Sequence, residues 1–412
     1  MSSPATRFTS TSAGSEPALA ARRSSGPYRI LHCLRAPVGG LFRHVCDLAS
    51  EQARRGHQVG VVCDAGGGDC LTEARLAELA PQLALGLRRI AMSRELGARD
   101  VTAWFAIRAH ALALGVDVMH GHGAKGGAYA RLAARALERA GRAVASCYTP
   151  HGGSLHYHPA SLAGRIYIAL ERRLARHTDA LIFESAYAAA RYEAHIGRPA
   201  CSTRIIPNGL APVDFGTVGS DFDAADLLFV GELRRLKGVD VMLDALARLR
   251  EIRPASAVIV GGGPDAADLE RQAARLGLSG LVSFRATMPA RAAFRLGRVL
   301  VVPSRAESFP YIVLEAAAAG VPILATNVGG IPEITAGTDT ALLPPGDAEA
   351  LAGAMLEVME NPIAAQARAL RLKWSVGRRF TVAAMSDAVL ELYGSVLAAT
   401  ARATAQPAIV RS

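Results

Sequence analysis

Several things are scarce in this chain, and each scarcity excludes something. No continuous apolar run approaches the roughly 18 to 20 residues that cross a bilayer, so no stretch reads as a membrane span. The first residues, MSSPATRFTSTSAGSEPALAARRSSGP, are rich in Ser, Ala, Pro and Arg and lack an apolar h-region. That composition predicts a disordered tail over 1–27 rather than a signal peptide, and a cytoplasmic protein. Aromatic residues make up only 5% of the chain. With no recognisable nucleic-acid module, this argues against a nucleic-acid partner. The six cysteines, at 33, 46, 63, 70, 147 and 201, form no Cys-x-x-Cys pair, and several sit in apolar patterns. Reduced core thiols are the expectation.

What is present is 412 residues, half of them apolar and a fifth charged. That is globular composition with enough length for two or three domains. The charge is uneven. Residues 1–210 carry 26 Lys and Arg against 15 Asp and Glu, a net of +11, while residues 211–412 carry 20 against 21, a net of −1. A basic first half suits an anionic membrane surface or a phosphorylated acceptor; an arginine-rich composition without a partner is the plain alternative.

Short apolar runs alternate with helical stretches along the whole chain, which predicts α/β architecture with parallel sheets. In the first half the expected strands are 28–34, 59–63, 85–90, 116–119, 143–149, 180–183 and 204–206. In the second they open at Leu227 to Val230 and include 257–260, 282–284 and 299–302. Glycine-bearing loops follow several of them. Gly39 and Gly40 separate the first strand from a helix beginning near Leu41, a geometry that lets backbone approach a phosphate. Gly231 to Gly238 (GELRRLKG) joins a strand to a helix, with Arg234, Arg235 and Lys237 as candidate phosphate cations. Gly261-Gly262-Gly263 lacks the G-x-G-x-x-G spacing of a dinucleotide site. His122 and Lys125 follow the strand at 116–119 and read as acceptor-side groups. His151, between Pro150 and Gly152, sits on a strand-tip loop where catalytic groups concentrate. His120-x-His122 and His156-x-His158 find no carboxylate or cysteine at ligand spacing, so no metal site is expected.

The densest stretch is PSRAESFPYIVLEAAAAGVPILATNVGGIP, residues 303–332. Val299 to Val302 reads as a buried strand, Phe309 to Ala319 as a helix, and Gly320 and Pro322 as its stop. Glu307 lies in the loop and Glu315 in the helix, eight residues apart. Amides near Phe309, Pro310, Tyr311 and Ile312 would turn the positive end of the helix toward an electron-rich ligand. Paired carboxylates beside such amides suit sugar hydroxyls and a ribose; ordinary solvated helix charges are the bland alternative.

This stretch, with its flanking Pro-Ser, the Ser-Phe after Glu307, Gly-Val-Pro and Gly-Gly-Ile-Pro-Glu, resembles the E-x7-E signature of the retaining family 4 glycosyltransferases. The resemblance spans roughly residues 28–400 and is densest over 227–345. It implies the GT-B fold, two doubly wound Rossmann-like domains facing across a cleft. The expected layout is an acceptor-side domain over 28–209, a linker over 210–224 and a nucleotide-sugar domain over 225–380. A helix over 381–400 would cross back, followed by a tail over 401–412. It also implies transfer of a hexose from a UDP- or GDP-linked sugar to a hydroxyl of a glycan or lipid-linked acceptor. Surface-polysaccharide assembly at the inner membrane face is the expected setting. His151 would orient the sugar, Lys237 and a neighbouring Arg would neutralise the diphosphate, Glu315 would hold the ribose and Glu307 the sugar. Gly39, Gly40 and Ser308 would flank the donor, and Arg285 would lie near the base. No metal or other cofactor is required on this reading. The family usually has Arg where this chain has Glu232, which leaves Arg234 or Arg235 to supply the second cation. A glycoside hydrolase, a phosphorylase or synthase on the same fold, and an inactive nucleotide-sugar-binding protein are the alternatives.

Overall fold

The computed structural model describes residues 26–95, 97–152 and 161–405. The tails at 1–25 and 406–412, with Gly153, His156 and His158, lie outside the described residues. In chain order the first half runs β1 (Arg29–Leu34), α1 (Gly39–Arg54), β2 (Gln58–Asp64), α2 (Cys70–Leu79), β3 (Gly86–Ile90), α3 (Ala98–Leu114), β4 (Val118–His122) and α4 (Gly123–Arg139). It continues with β5 (Ala145–Thr149), α5 (Leu162–Ala175), β6 (Ala180–Phe183), α6 (Ala186–His195) and β7 (Ser202–Ile205). All seven strands pair in parallel in the order β3-β2-β1-β4-β5-β6-β7.

The second half has β8 (Ala225–Val230), α7 (Val239–Leu249), β9 (Ala257–Val260), α8 (Ala266–Arg275), β10 (Val282–Arg285), α9 (Ala290–Ala293) and β11 (Gly297–Val302). Then come α10 (Tyr311–Ala319), β12 (Ile323–Thr326), α11 (Ile331–Thr335), β13 (Leu342–Leu343), α12 (Ala348–Glu360), α13 (Pro362–Arg379) and α14 (Val382–Ala405). Its six strands form a second parallel sheet, β10-β9-β8-β11-β12-β13. Central strands are buried on both faces, which is why Leu227–Val230 of β8 and Val299–Val302 of β11 are continuous apolar runs, while β1 and β4 bury His32, His120 and His122 among their apolar residues.

Strand order reverses between β1 and β4 and again between β8 and β11. Ligands of such sheets bind beyond the strands' carboxyl ends at these reversals. Two glycines bring the loops of the second reversal together. A Cβ on Gly238 (φ +70°) would lie 2.0 Å from the Pro303 carbonyl oxygen, so only glycine lets the loop before α7 lie on the loop after β11. A Cβ on Gly329 (φ +61°) would lie 2.0 Å from the Glu307 carbonyl oxygen, which seats the Gly-Gly turn under the first glutamate.

Helix α14 returns to the first sheet. Met385, Val389, Leu392 and Tyr393 join Ile30, Val118, Ala145 and Cys147 in one core cluster. Its stretch Val382–Thr400, with mean hydropathy 1.4 over 19 residues, is long and apolar enough to cross a membrane. The sequence reading saw no such run, because scattered polar residues interrupt it. One face of the stretch is occupied by the first sheet's core.

Strand β4 is a second departure from the sequence reading, which ended it at Met119. It runs through His122, with Gly121 paired to Cys33 and Tyr148. Flanked by β1 and β5, the segment has ladder partners on both sides, so His120 and His122 are strand residues rather than loop residues.

Candidate active site

A cavity of about 730 Å³ lies between the carboxyl ends of the two sheets. Helices α1 and α10 both aim their N-termini at it. Neither start has a side-chain cap or an acidic residue in its first turn. Their first amides, at Gly39, Gly40, Tyr311 and Ile312, are therefore placed to accept negative charge from a ligand. Phe309 and Pro310 line the same wall. Phe309 is anchored edge-on against Phe380 at 5.4 Å.

Lys237 and Glu307 meet on the cavity's floor, Nζ to Oε1 at 2.6 Å. Ser304 Oγ donates to the same carboxylate oxygen at 2.7 Å. The Lys237 ammonium is thus held at the reversal point before any ligand arrives. Arg234 lines the cavity, and its guanidinium lies 3.5 Å from the Glu232 carboxylate. Both are about half exposed, so this pair is a weak restraint. Arg235 does not line the cavity. Its amide is tied to Asp265 and its carbonyl accepts from Arg305. Of the two candidates the structure brings only Arg234 to the cleft.

Glu315 is nearly buried on α10 and is met across the cleft by Arg43 of α1. The Arg43 guanidinium also reaches Asp214 at 2.6 Å and Asp47 at 3.2 Å, and stacks over Tyr311 at 5.0 Å. Burial raises the Glu315 carboxyl to about 7, with Arg43 opposing and the two aspartates reinforcing the shift. Arg43, Asp47 and Asp214 were missed by the sequence reading. The only local signal was an Arg three residues after Gly40, facing inward on a helix.

Ser308 Oγ bonds Glu184, and the Asn208 Nδ2 donates to the Phe309 carbonyl at 2.9 Å. Glu333, in the Gly-Gly-Ile-Pro-Glu segment, accepts from the Ala186 and Tyr187 amides at 2.8 and 3.0 Å. These bonds close the second half onto the first.

His151 also lines the cavity. It is the only non-glycine residue with positive φ (+49°) among the described residues, a strained conformation of the kind that clusters at functional sites. Burial holds its imidazole neutral, pushed down to about 3. Behind it His122 Nδ1 lies 3.2 Å from His151 Nε2, His122 Nε2 lies 2.9 Å from His32 Nδ1, and His32 Nε2 lies 2.8 Å from Gln52 Oε1.

Three expected positions move. His122 is fully buried and bonded only to other side chains, so it backs His151 instead of meeting an acceptor. The Lys125 ammonium is consumed by Asp100 at 2.7 Å and the carbonyls of Ser93 and Glu95 at 2.8 and 2.6 Å. It braces α3 and lies off the cavity. Arg285 ends β10 exposed and outside the lining, and the cavity's wall there is Thr287, Met288 and Pro289. Each was placed by proximity to a strand end, which does not say where a long side chain goes.

Comparison with known proteins matches residues 38–212 to the model described as Glycosyltransferase Family 4. Residues 224–361 match Glycosyl transferases group 1. Over 386 residues the chain is 28% identical to glycogen synthase of Mycobacterium tuberculosis, covering 86% of this chain and 91% of that one. It is 38% identical to D-inositol 3-phosphate glycosyltransferase of Corynebacterium jeikeium over 170 residues, 35% of this chain and 40% of that one. Sucrose-phosphate synthase from Thermosynechococcus elongatus superposes with a TM-score of 0.74 at 22% identity, covering 90% of this chain and all of the other. Anabaena Alr3699/HepE in complex with UDP and glucose superposes with 0.74 at 20% identity, covering 89% and 100%. The structural likenesses establish a common fold.

Proposed function

The chain belongs to the family 4 glycosyltransferases with the GT-B fold, and from that premise we propose that it is a retaining hexosyltransferase. It would move a hexose from a UDP- or GDP-linked donor to a hydroxyl of a glycan or lipid-linked acceptor. The observation that carries the reading is the convergence in one cavity of Lys237, Arg234, two uncapped helix N-termini and His151.

Breaking a glycosyl phosphate bond leaves charge on the departing diphosphate. Fixed cations and amide dipoles aimed at that charge lower the barrier with no reorganisation at the moment of reaction. Lys237, held by Glu307, and Arg234 supply the cations; the α1 and α10 amides supply the dipoles. Glu307 would accept from sugar hydroxyls on its unshared oxygen, and Glu315 from the ribose. The neutral His151 imidazole would orient the sugar. Attack from the face the diphosphate leaves, with that phosphate taking the acceptor's proton, would retain the anomeric configuration.

The basic first half supports a peripheral position at an anionic membrane face. Helix α5 adds Leu162, Ile166 and Leu170, exposed at intervals of four, beside exposed Arg165, Arg172 and Arg173. Vesicles containing anionic lipid should bind the protein better than neutral ones, and high salt should abolish the difference. Equal binding to both would remove the membrane from the proposal.

The donor is tested by melting the protein with UDP, GDP, ADP and their sugar conjugates, with and without EDTA. A ligand of the folded form raises the melting temperature. One nucleotide series should do so, insensitive to EDTA, and its sugar conjugate should then yield product of unchanged anomeric configuration. No shift with any nucleotide would overturn the function while leaving the fold. Transfer to an α-glucan with no lipid acceptor would favour the synthase reading that the glycogen synthase likeness supports.

A further inference from the structure

We propose that His44, His122 and His151 form a binding site for a zinc-class divalent transition-metal ion at the inner wall of the cleft. The sequence hides this set because its members come from α1, β4 and the loop after β5. One ring nitrogen from each of the three falls within 4.8 Å of the others. Their rings gather closely, with His44 to His151 centroids at 4.7 Å and His44 to His122 at 5.5 Å.

The tautomers follow from the surrounding hydrogen bonds. The Asn208 Nδ2 donates to the Phe309 carbonyl at 2.9 Å, which turns its Oδ1 to His44 Nδ1 at 2.9 Å. That oxygen can only accept, so His44 Nδ1 carries the proton and Nε2 carries a lone pair. This Nε2 is buried and has no hydrogen-bond partner among the described residues. A buried polar atom left unpaired is costly unless something fills the place it faces. Gln52 Oε1 likewise accepts from His32 Nε2, so His32 Nδ1 accepts from His122 Nε2 and the His122 Nδ1 lone pair points at His151. An imidazole whose second nitrogen donates to an amide or carbonyl oxygen is the usual form of a metal-bound histidine.

The spacing fits. Ligand nitrogens about 2.0–2.1 Å from a tetrahedral ion stand roughly 3.3–3.4 Å apart. His122 Nδ1 and His151 Nε2 are already 3.2 Å apart. An ion between them replaces the shared proton, which His151 then carries on Nδ1. Three neutral imidazoles with no carboxylate favour zinc, cobalt, nickel or copper over magnesium or calcium, which take oxygen ligands. Because His151 lines the cavity, the fourth position opens to the cleft. Occupancy would take His151 away from the sugar, so metal and donor sugar exclude each other; this consequence rests on the role given to His151 above.

The test uses the full chain, purified without metal, and cobalt(II) as a coloured probe. One equivalent should develop the intense visible absorption of tetrahedral cobalt, and zinc should bleach it. X-ray absorption of the zinc form should show about three imidazole nitrogens. His44→Gln, which keeps ring-sized bulk without the ligand, should weaken binding by more than about 100-fold while its far-ultraviolet circular dichroism stays native. His122→Gln repeats the test if the first variant misfolds. Only weak, octahedral cobalt absorption, or affinity unchanged by His44→Gln, would overturn the site. If the site stands but UDP-sugar fails to compete where UDP alone also fails, the antagonism is overturned and with it the sugar-facing role of His151.

Discussion

Replacing Glu315 by Gln should stabilise the ligand-free protein at neutral pH, although it removes a salt bridge and a donor contact. Its carboxyl titrates at about 7 in the fold against an ordinary 4.5. The folded chain therefore holds this proton more tightly than the unfolded one. Stability from that proton is complete below about pH 4.5 and is lost as pH rises through 7. At pH 7.5 the loss amounts to about 3 kcal/mol, at pH 5 to under about 1 kcal/mol, and near pH 4 to almost nothing. The value of about 7 already contains the pull of Arg43 on the charged form, and the uncharged amide stands in for the protonated carboxyl, so the substitution lifts that loss with nothing further to subtract. The net is a gain of about 3 kcal/mol at pH 7.5 that shrinks to under about 1 kcal/mol at pH 5 and vanishes near pH 4. Urea unfolding of both proteins at the three pH values measures it, with the change in midpoint read against a constant m-value. Donor nucleotide should meanwhile raise the melting temperature of the variant less than that of the parent. A variant less stable than the parent at pH 7.5 would refute the reasoning, because the Arg43 pair would then outweigh the burial of the charge.

Lys237→Met should lower the rate of transfer about 10²- to 10³-fold, equivalent to about 2.7–4 kcal/mol of leaving-group stabilisation; saturating-donor kinetics read it, with a melt to confirm folding. Glu232→Ala should free Arg234 and tighten UDP binding about two- to fivefold at low salt, an effect that high salt removes; calorimetry at two ionic strengths checks this. If the His151 imidazole orients the sugar as proposed, His151→Ala should leave UDP affinity within about twofold while sharply reducing transfer from the intact sugar nucleotide; nucleotide binding and turnover are measured on the same preparation.

The alternation of apolar runs and helices, the glycine stops and the E-x7-E stretch were all legible because they are local. A buried parallel strand must be apolar on both faces, and a helix ending in a left-handed turn takes glycine, whatever lies across the cleft. Lys237, Glu307 and His151 line the cavity for the same reason, each standing on a loop at a strand's carboxyl end. What the sequence could not carry is the direction of side chains over long separations. Arg43 reaches Glu315 across 272 positions. Lys125 turns to Asp100 and away from the cleft, and Arg285 stays on the surface. The histidines of β1 and β4 meet because the two strands pair in register, His32 beside His120. His44 and His151 join them only once α1 and the loop after β5 fold over that sheet. The sequence by itself determined two doubly wound sheets, a Gly-Gly loop at the first reversal and a basic loop at the second. Only the tertiary structure decided which charges share one low-dielectric space, because that depends on register and domain contact rather than on spacing along the chain.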